Sequence, residues 1–384
     1  MTPTIGPLTD ADESLNHQIV NTHSVVGSAD RAWTEKVWFM LARKDGSLQA
    51  SFGLGKYSNR NVLDGFAGVQ HGTQQRTIRA SRVLRPRLEE MAVGPLAYEI
   101  IEPFKRLRVT CAANEAQPIS YDLTFIATMP AFFENRDVVV SSGRTASDVI
   151  RYHQAGTISG WIEIDGERHT VDPEDWFGFR DHSWGTRGKG IGMPVPDEPP
   201  GQNIGNMRLL WGPSLFKRPD GSKFQFMNYW VAGDNWQYSS AHVNEAGNGP
   251  DGVRQTEIRS VNPDVRFDPA TRRFLGGTYR FELASGEIKN IEVQPLGPSG
   301  FHLRTGAYGE WKGGRHGSWR GEYHEDGEYI ADVIAELPNL GQFRDAPVML
   351  KDGDLIGYGI QESIFTGVFP ELGLTEESDY PTDL

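Results

Sequence analysis

The feature that most constrains this fold is the division of the chain into short segments by 44 glycines and 23 prolines. Within most segments apolar and polar residues alternate with a period of two, as they do in residues 157–164. Such alternation places one set of side chains in a core and the other set on the opposite face of a strand. The pattern therefore predicts an antiparallel β protein.

Pairs of turn-forming residues separate many of these segments and predict tight hairpins, because glycine and aspartate accept the positive φ that short hairpin turns require. The predicted turns are centred on Asp45-Gly46, Asp165-Gly166, Asp220-Gly221, Ser285-Gly286 and Asp326-Gly327. Repeated hairpins of this kind are typical of β-barrels and sandwiches. Helical signals are few, and the best predicts a short helix near Ser147, within residues 147–154.

A stretch rich in proline and acidic residues, 194–203, lies between two β-rich halves and is the best candidate for a domain boundary. We expect a mobile N-terminal tail over residues 1–30 and a first β domain over 31–195. A second β domain is expected over 204–367, followed by a C-terminal tail over 368–384, whose last ten residues, 375–384, are expected to be solvated.

Charge and hydropathy exclude several classes of partner. The 38 lysine and arginine residues face 51 acidic residues, for a formal net charge of -13, and no basic run could follow a phosphate backbone. Nucleic acid is therefore not an expected partner. The first 18 residues are polar and acidic, and no later apolar run is long enough for a membrane span. We expect a cytoplasmic protein.

Cysteine and histidine usage predicts neither a metal site nor a bound cofactor. Cys111 is the only cysteine, so no internal disulfide can form, and its position in the alternating segment 106–111 predicts a buried core residue. The ten histidines include no His-x-His or His-x-x-x-His pair. Residues 188–192, Gly-Lys-Gly-Ile-Gly, resemble a phosphate loop only superficially, and a hinge or flap is the preferred interpretation.

Residues 180–187, Arg-Asp-His-Ser-Trp-Gly-Thr-Arg, concentrate the groups most suited to chemistry. In a strand, Asp181 and His182 point to opposite faces, so they cannot form a dyad with each other. If the face of His182 and Trp184 lines a cavity, it supplies a group that titrates near neutral pH beside an aromatic wall. Asp181 and Arg187 could then brace the turn behind them. The alternative is a hydrogen-bonded corner with no chemical role.

Two further stretches supply candidate binding residues. In residues 224–238, Tyr229 and Trp230 lie on opposite faces of a predicted strand, and Tyr229 or Asp234 could donate a proton; core packing is the alternative explanation. Tyr57 lies in a polar stretch, 53–66, that could form a loop at a barrel mouth or a solvated turn.

With Gly-Phe-Arg-Asp-His-Ser-Trp-Gly-Thr-Arg placed after residues 152–167, the sequence resembles the bacterial hydroxyneurosporene synthase (carotenoid 1,2-hydratase) and AttH-like superfamily. The resemblance implies an all-β fold of two lipocalin-like antiparallel β-barrels in tandem, with few short helices. It also implies cofactor-independent addition or removal of water on lipophilic molecules. His182 and Trp184 match the active-site pair of the motif, and Asp181 its orienting acid. The hydratases carry a downstream Tyr-x-Asp where this chain has Tyr229-Trp230-Val231, a departure that argues against carotenoid hydration and leaves Asp234 as a candidate substitute.

These observations lead to one main hypothesis and two alternatives. The main hypothesis is a cofactor-independent lyase, such as a hydratase or dehydratase, or an isomerase, acting on a bulky hydrophobic aromatic or terpenoid molecule in a barrel cavity. His182 would be the general acid or base, Asp181 or another carboxylate would orient it, and Tyr229 would donate a proton. The predicted substrate contacts are Trp184, Trp230, Arg187, Tyr57 and Asp234. The alternatives are a lipocalin-like carrier for a hydrophobic ligand and a structural or partner-binding protein, and a homodimer is left open.

Overall fold

Antiparallel β-structure dominates this protein, as the alternating segments predict. The structure, a computed structural model, describes residues 8–17, 27–141, 144–187, 206–234, 237–246 and 253–377. The predicted fold class, all-β with two tandem lipocalin-like units and few short helices, is confirmed. In the part of the chain that the structure describes, no helix has the length and hydropathy to cross a membrane.

The first half of the chain contributes thirteen strands. They are β1 (Trp33–Arg43), β2 (Leu48–Tyr57), β3 (Val62–His71), β4 (Gln74–Val83), β5 (Ala92–Val93), β6 (Leu96–Glu102), β7 (Arg106–Cys111), β8 (Ile119–Ala127), β9 (Phe132–Phe133), β10 (Asp137–Ser141), β11 (Arg144–Ile164), β12 (Glu167–Val171) and β13 (Trp176–Thr186).

Among its described residues, the second half contributes eleven strands and a single four-residue α-helix, α1 (Leu337–Leu340). The strands are β14 (Met207–Trp211), β15 (Ser214–Lys217), β16 (Lys223–Gly233), β17 (Gln237–Ala246), β18 (Val253–Phe267), β19 (Phe274–Leu283), β20 (Ile288–Pro295), β21 (Phe301–His302), β22 (Tyr323–Ile330), β23 (Arg344–Asp352) and β24 (Leu355–Thr366). Short 3-10 turns occupy Asp10–Glu13, Leu303–Gly306 and Pro370–Leu372.

The first sheet is a curled, open half-barrel whose strand order runs β22-β4-β3-β2-β1-β13-β11-β8-β7-β6-β5. Its concave side is filled by apolar side chains, among them Phe39, Phe52, Leu123 and Phe125. Cys111 belongs to this core and is fully buried, as predicted, and burial raises the pKa of its thiol to about 12. The half-barrel also receives β22 from the second half of the chain, which pairs with β4.

The second sheet closes into an eight-stranded barrel, because the pairings run from β16 through β17, β18, β19, β20, β23, β24 and β14 back to β16. Its interior holds large side chains, including Phe216, Phe226, Trp230 and Phe281. The inside of this barrel is therefore a packed core.

Several predicted turns are confirmed, and two local predictions are wrong. Asp165 and Gly166 both have positive φ, 53° and 84°, and join β11 to β12. Asp326 and Gly327 instead lie within β22, where Asp326 is opposite Arg79 and its carboxylate accepts from Arg79 Nε at 2.8 Å. Residues 147–154 form part of β11 and no helix, because pairing with β13 outweighs the capping tendency of Ser147.

The two sheets pack against each other through β1 and β13. Val37, Phe39 and Leu41 of β1 face the core of the half-barrel, whereas Trp38 and Met40 face the second unit. Both faces of β1 are buried, so its side chains contribute alternately to the core of the half-barrel and to the core between the two sheets.

Part of the predicted N-terminal tail is docked against the half-barrel. Glu13 is fully buried, and its carboxylate pairs with Arg180 Nη2 at 2.8 Å. It also accepts hydrogen bonds from the Tyr152 hydroxyl at 2.5 Å and from the Phe104 backbone N–H at 2.9 Å. The segment 8–17 thus supplies the counter-charge of a buried arginine. The boundary stretch 194–203 lies outside the described residues, and the domain division stays a prediction.

We expect Glu13→Gln to lower the free energy of unfolding by about 3–5 kcal/mol, because it leaves the buried Arg180 guanidinium without its anionic partner. Urea denaturation followed by tryptophan fluorescence at neutral pH measures this change. Glu371→Gln is the matched control, since the pair of Glu371 with Arg208 is largely exposed and worth at most about 1 kcal/mol. Equal losses in the two variants would contradict the anchoring role of Glu13.

Candidate active site

A cavity of about 120 Å³ lies where the half-barrel meets the closed barrel. Its lining combines aromatic and aliphatic walls with three cationic and two acidic side chains. The lining residues are Lys36, Trp38, Arg151, Asp181, Ser183, Arg187, Leu209, Trp211, Tyr229, Leu303, Tyr308, Phe343, Glu362 and Ile364. Such a mixture, apolar with a few convergent polar groups, is typical of small-molecule sites.

The paired strands β1 and β13 decide which side chains reach this cavity. Lys36 is opposite Ser183 in the register, and Trp38 is opposite Asp181, and all four side chains line the cavity. Since successive side chains of a strand alternate, His182 points away from it. Within the predicted 180–187 cluster, it is therefore the face of Asp181 that meets the cavity, and not the face of His182 and Trp184 as the sequence-based hypothesis supposed.

Two carboxyl groups from the second unit lie at one side of the cavity. Asp345 of β23 is fully buried and Glu362 of β24 is half-buried, and the two carboxyl groups interact electrostatically with each other. Burial raises the pKa of Asp345 to about 7, and burial together with the charge of Asp345 raises the pKa of Glu362 well above its usual value. Two carboxylates this close in a poorly solvated place cannot both ionise, so the pair retains a proton at neutral pH.

Two arginines provide fixed positive charge. Arg151 Nη1 donates to Glu134 Oε2 at 3.0 Å, and its Nε lies 3.5 Å from Asp181 Oδ2. Burial alone would lower the pKa of Arg151, but Glu134 and Asp181 raise it. Arg187 donates to Thr34 Oγ1 at 2.6 Å and to Ser183 Oγ at 2.5 Å. Burial and the nearby Arg151 lower the pKa of Arg187 to about 10.

Lys36 is the most unusual group in the cavity wall. Its side chain is 2% exposed, and its Nζ has no hydrogen-bond partner among the residues that the structure describes. The Nζ atom lies 3.7 Å from the centre of the Tyr308 ring. Burial first, and then the charge of Arg187, lower the pKa of Lys36 well below its usual value.

The opposite face of β13 carries a second polar cluster, in which each histidine nitrogen has a partner. His182 Nδ1 lies 2.9 Å from the Tyr152 hydroxyl, and its Nε2 lies 3.1 Å from Glu35 Oε1. The same Glu35 oxygen is 2.5 Å from His17 Nδ1, and the His17 ring stacks on Trp184 with centres 3.6 Å apart. Burial would raise the pKa of Glu35, but hydrogen bonds to His17 and His182 lower it to about 2.

His17, Glu35 and His182 also form the one group of three described side chains with the geometry to hold a metal ion. Two imidazoles and a carboxylate are ligands that Zn²⁺ accepts. The sequence predicts no metal, because these residues come from three separate segments and show no local spacing. In the structure the three groups already bind one another through the contacts described above.

The other predicted site residues are dispersed. Tyr229 lines the cavity, with its ring centre 5.6 Å from the Arg151 guanidinium carbon. Trp230 is on the opposite face of β16, packed in the core of the closed barrel. Tyr57 is fully buried outside the cavity lining, and burial raises its pKa well above the usual value. Asp234 is exposed and accepts from the Asn206 backbone N–H at 3.3 Å.

Sequence reasoning missed Lys36, Glu362, Asp345 and Tyr308. The sequence does mark two of these residues, Lys36 and Glu362. Each is a charged residue on a strand face whose other residues are mostly apolar. Lys36 shares its phase with Trp38 and Met40, and Glu362 shares its phase with three isoleucines of β24. A charged residue at a core position marks either a buried pair or a functional group.

Comparison with known proteins places the chain within a family. A family model described as "Family of unknown function (DUF8625)" matches residues 8–375. Curated protein sequences give no match. Among solved structures, the chain is similar to an AttH-like protein from Nitrosomonas europaea, at 13% identity over 86% of this chain and 92% of that chain, with a TM-score of 0.49.

Two further solved structures are similar to this chain. Kievitone hydratase from Nectria haematococca matches at 11% identity over 96% of this chain and 98% of that chain, with a TM-score of 0.41. CghA matches at 12% identity over 94% of this chain and 97% of that chain, with a TM-score of 0.49.

We expect the stabilising effect of Glu35 to decline in acid. Its folded pKa of about 2 lies below the ordinary value of 4.5, so the folded state loses this stabilisation as the pH falls from 4.5 towards 2. The difference in unfolding free energy between wild type and Glu35→Gln should therefore be largest above pH 5. Below pH 4.5 it should shrink by up to about 1.4 kcal/mol per pH unit.

Urea denaturation at a series of pH values measures this difference. Glu99→Gln is the control, because Glu99 is exposed and pairs with Arg108 at 3.1 Å on the surface. If the difference in unfolding free energy between wild type and Glu35→Gln stays constant from pH 6 to pH 3, Glu35 is not held ionised by its two histidines.

Proposed function

The chain belongs to the family of unknown function DUF8625, and we propose that it is a cofactor-independent enzyme of the lyase or isomerase class. It would add water to, remove water from, or move a proton on a ring-containing small molecule bound between the two sheets. The observation that carries this proposal is the Asp345–Glu362 carboxyl pair, which keeps a proton beside an aromatic cavity at neutral pH.

General acid catalysis needs a group that is still protonated at the working pH and can reach the reacting atom. Glu362 satisfies both conditions, because its side chain lines the cavity and burial raises its pKa. Asp345 lies behind Glu362 and shares its proton. In this arrangement Glu362 is the proton donor, and Asp345 sets its protonation state.

A proton acceptor lies on the same cavity wall as the aromatic groups. The Asp181 carboxylate lines the cavity and is paired with Arg151 at 3.5 Å. Elimination and isomerisation require an acid and a base at one site, and we assign these roles to Glu362 and Asp181. Tyr229, on the same cavity, is a second donor.

The dimensions of the cavity favour a compact substrate over the bulky terpenoid expected at first. An engineered protein cavity of about 150 Å³ holds benzene, so 120 Å³ is close to the space that one six-membered ring needs. Trp38 and Trp211 meet edge to face at 5.6 Å between ring centres and provide walls for such a ring. Their π faces also favour a developing positive charge.

The dehydration direction illustrates the roles. Glu362 donates its proton to a hydroxyl oxygen of the substrate, the carbon–oxygen bond breaks, and water leaves. Asp181 removes a proton from the neighbouring carbon, whose electron pair forms the new double bond. Hydration is the reverse sequence, in which Asp181 is the acid and Glu362 the base.

The position of His182 supports a different role from the one predicted for it. Its side chain lies on the opposite face of β13 and contacts Tyr152 and Glu35 instead of the cavity. We assign His182 to positioning β13, and so the Asp181 carboxylate, and not to proton transfer with the substrate.

We expect Glu362→Gln to slow turnover by about 10²- to 10⁴-fold, since an amide has the shape of the protonated acid but cannot donate a proton of similar acidity. The assay incubates the protein with ring-containing alcohols and the corresponding alkenes, with and without an adjacent carbonyl, in heavy-oxygen water. Mass spectrometry then detects oxygen exchange, dehydration and hydration.

Glu371→Gln, at an exposed ion pair of the second barrel, is the control and should keep the wild-type rate. A compound that binds with micromolar affinity while exchange and conversion stay at the background rate would favour the carrier hypothesis instead. Wild-type turnover by Glu362→Gln would remove Glu362 from the mechanism.

A further inference from the structure

We propose that Lys36 is a covalent attachment site for an aldehyde or ketone, whose carbonyl carbon forms an imine with the unpartnered amine in the cavity between the two sheets. The inference deepens the proposed function, since it takes the same cavity as the substrate site and names carbonyl compounds as the substrate class.

The geometry around Lys36 is that of a nucleophile and not of an ion pair. The side chain extends from β1 into the cavity lining and is 2% exposed, and no described residue accepts a hydrogen bond from Nζ. A buried ammonium with no partner is costly, so the neutral amine is favoured at this position. A neutral amine has the lone pair that attacks carbonyl carbons.

Lys36 differs in this respect from the other strongly buried lysine among the described residues. Lys56 is 4% exposed, but its Nζ donates to Asn16 Oδ1 at 2.5 Å. The exposed Lys105 pairs with Glu102 at 2.6 Å. Burial without a partner therefore distinguishes Lys36 from both.

The charged and titratable groups around Lys36 support the neutral form. Those that act on it most strongly are Arg187 and Arg151, which are positive, and Asp64 and Asp181, which are negative; His316 also lies within electrostatic reach. Burial and the two arginines outweigh the two acids and lower the pKa of Lys36. A nearby cation in a desolvated site is a known way to activate a lysine amine.

The Tyr308 ring stabilises the product of the reaction. Its centre is 3.7 Å from Nζ, within the distance at which an aromatic face attracts a cation. This attraction acts little on the neutral amine and strongly on a protonated imine, which carries its positive charge at the same nitrogen. The site thus accepts a neutral nucleophile and favours the charged adduct.

The atoms and protons of the step balance without any other reactant. The Nζ lone pair forms a bond to the carbonyl carbon, and the carbonyl oxygen takes a proton from the Asp345–Glu362 pair. Nitrogen releases a proton to Asp181. Asp181 passes this proton to the hydroxyl, which leaves as water while the nitrogen lone pair forms the carbon–nitrogen double bond. The sum is carbonyl compound, amine and one proton from the carboxyl pair giving a protonated imine and water.

The adduct connects with the proposed acid–base chemistry. A protonated imine withdraws electrons from the adjacent carbon, so a proton on that carbon becomes easier for Asp181 to remove. Loss of a hydroxyl one carbon further on, assisted by Glu362, then completes a dehydration. The expected substrates are accordingly hydroxyl-bearing ring compounds with a carbonyl group near the hydroxyl, and their unsaturated products.

Reductive trapping tests the proposal directly. The full-length protein is incubated at neutral pH with benzaldehyde, a ring-sized carbonyl probe, and sodium cyanoborohydride, which reduces imines to stable amines. Peptide mass mapping over time should show the benzyl group on Lys36 at an initial rate at least tenfold above that on Lys105. In Lys36→Met, which keeps the length of the side chain and removes the amine, that rapid adduct should be lost.

Lys105→Met is the matched control and should retain rapid labelling at Lys36. Circular dichroism and the urea midpoint establish that Lys36→Met is folded. Labelling of Lys36 no faster than of Lys105, or a rapid adduct that persists in folded Lys36→Met, would overturn the proposal. The trapping assay detects the imine without any turnover of substrate. If the adduct forms on Lys36 but the heavy-oxygen assay shows no exchange, only the proposed lyase or isomerase activity is refuted. Exchange that persists in Lys36→Met would refute only the imine.

Discussion

The pairing of β1 with β13, both buried on both faces, is the constraint on which the rest of this structure depends. Each strand sends alternate side chains to the half-barrel and to the junction with the closed barrel. Because the period of a strand is two, a shift of one residue in this register would exchange the contents of the two regions. The register therefore fixes both which polar groups are enclosed in the half-barrel and which line the cavity.

The glycine of the motif has a physical role in this pairing. Gly185 has φ of 133°, and a Cβ atom at this position would lie 2.0 Å from the Asp148 carbonyl oxygen on β11. Gly160 of β11 is in the same situation against Asp122 of β8, with φ of 137°. Both glycines permit close approach of neighbouring strands in a strongly curled sheet. The glycine in the motif is therefore explained by backbone geometry and needs no catalytic role.

Much of the fold could be predicted from the sequence, but the side of β13 that meets the cavity could not. Alternation over residues 157–164 predicts a strand, and the Asp-Gly pair at Asp165 predicts a hairpin, because each signal depends only on neighbouring residues. The choice between Asp181 and His182 depends on what packs against each face. Where both faces are buried, hydrophobic periodicity no longer distinguishes inside from outside. The partners of His182, Glu35 and Tyr152, lie 147 and 30 residues away in sequence.

The two polar clusters on either side of β13 differ in how completely their hydrogen bonds are satisfied. We assign a structural role to the satisfied cluster around His182 and a chemical role to the cluster that lines the cavity. His182 has a partner at each ring nitrogen, and Glu13 of the N-terminal segment neutralises the buried Arg180. A satisfied buried network specifies one arrangement of the chain. On the cavity side, Lys36 Nζ has no hydrogen-bond partner among the described residues, and Glu362 retains a proton that it can donate.

An uncharged Lys36 and a proton shared by Asp345 and Glu362 reduce the charge that is buried around the cavity, and no further counter-ions are needed. A neutral lysine and a carboxyl pair that shares a proton together cost less to bury than an ammonium and two carboxylates held apart. The same protonation states provide a nucleophile and an acid within one aromatic enclosure. Forming a charged adduct at Lys36 then requires a negative charge nearby, and Asp181, held by Arg151, supplies it. In the proposed mechanism, the desolvation that favours these uncharged forms thus also makes the groups reactive.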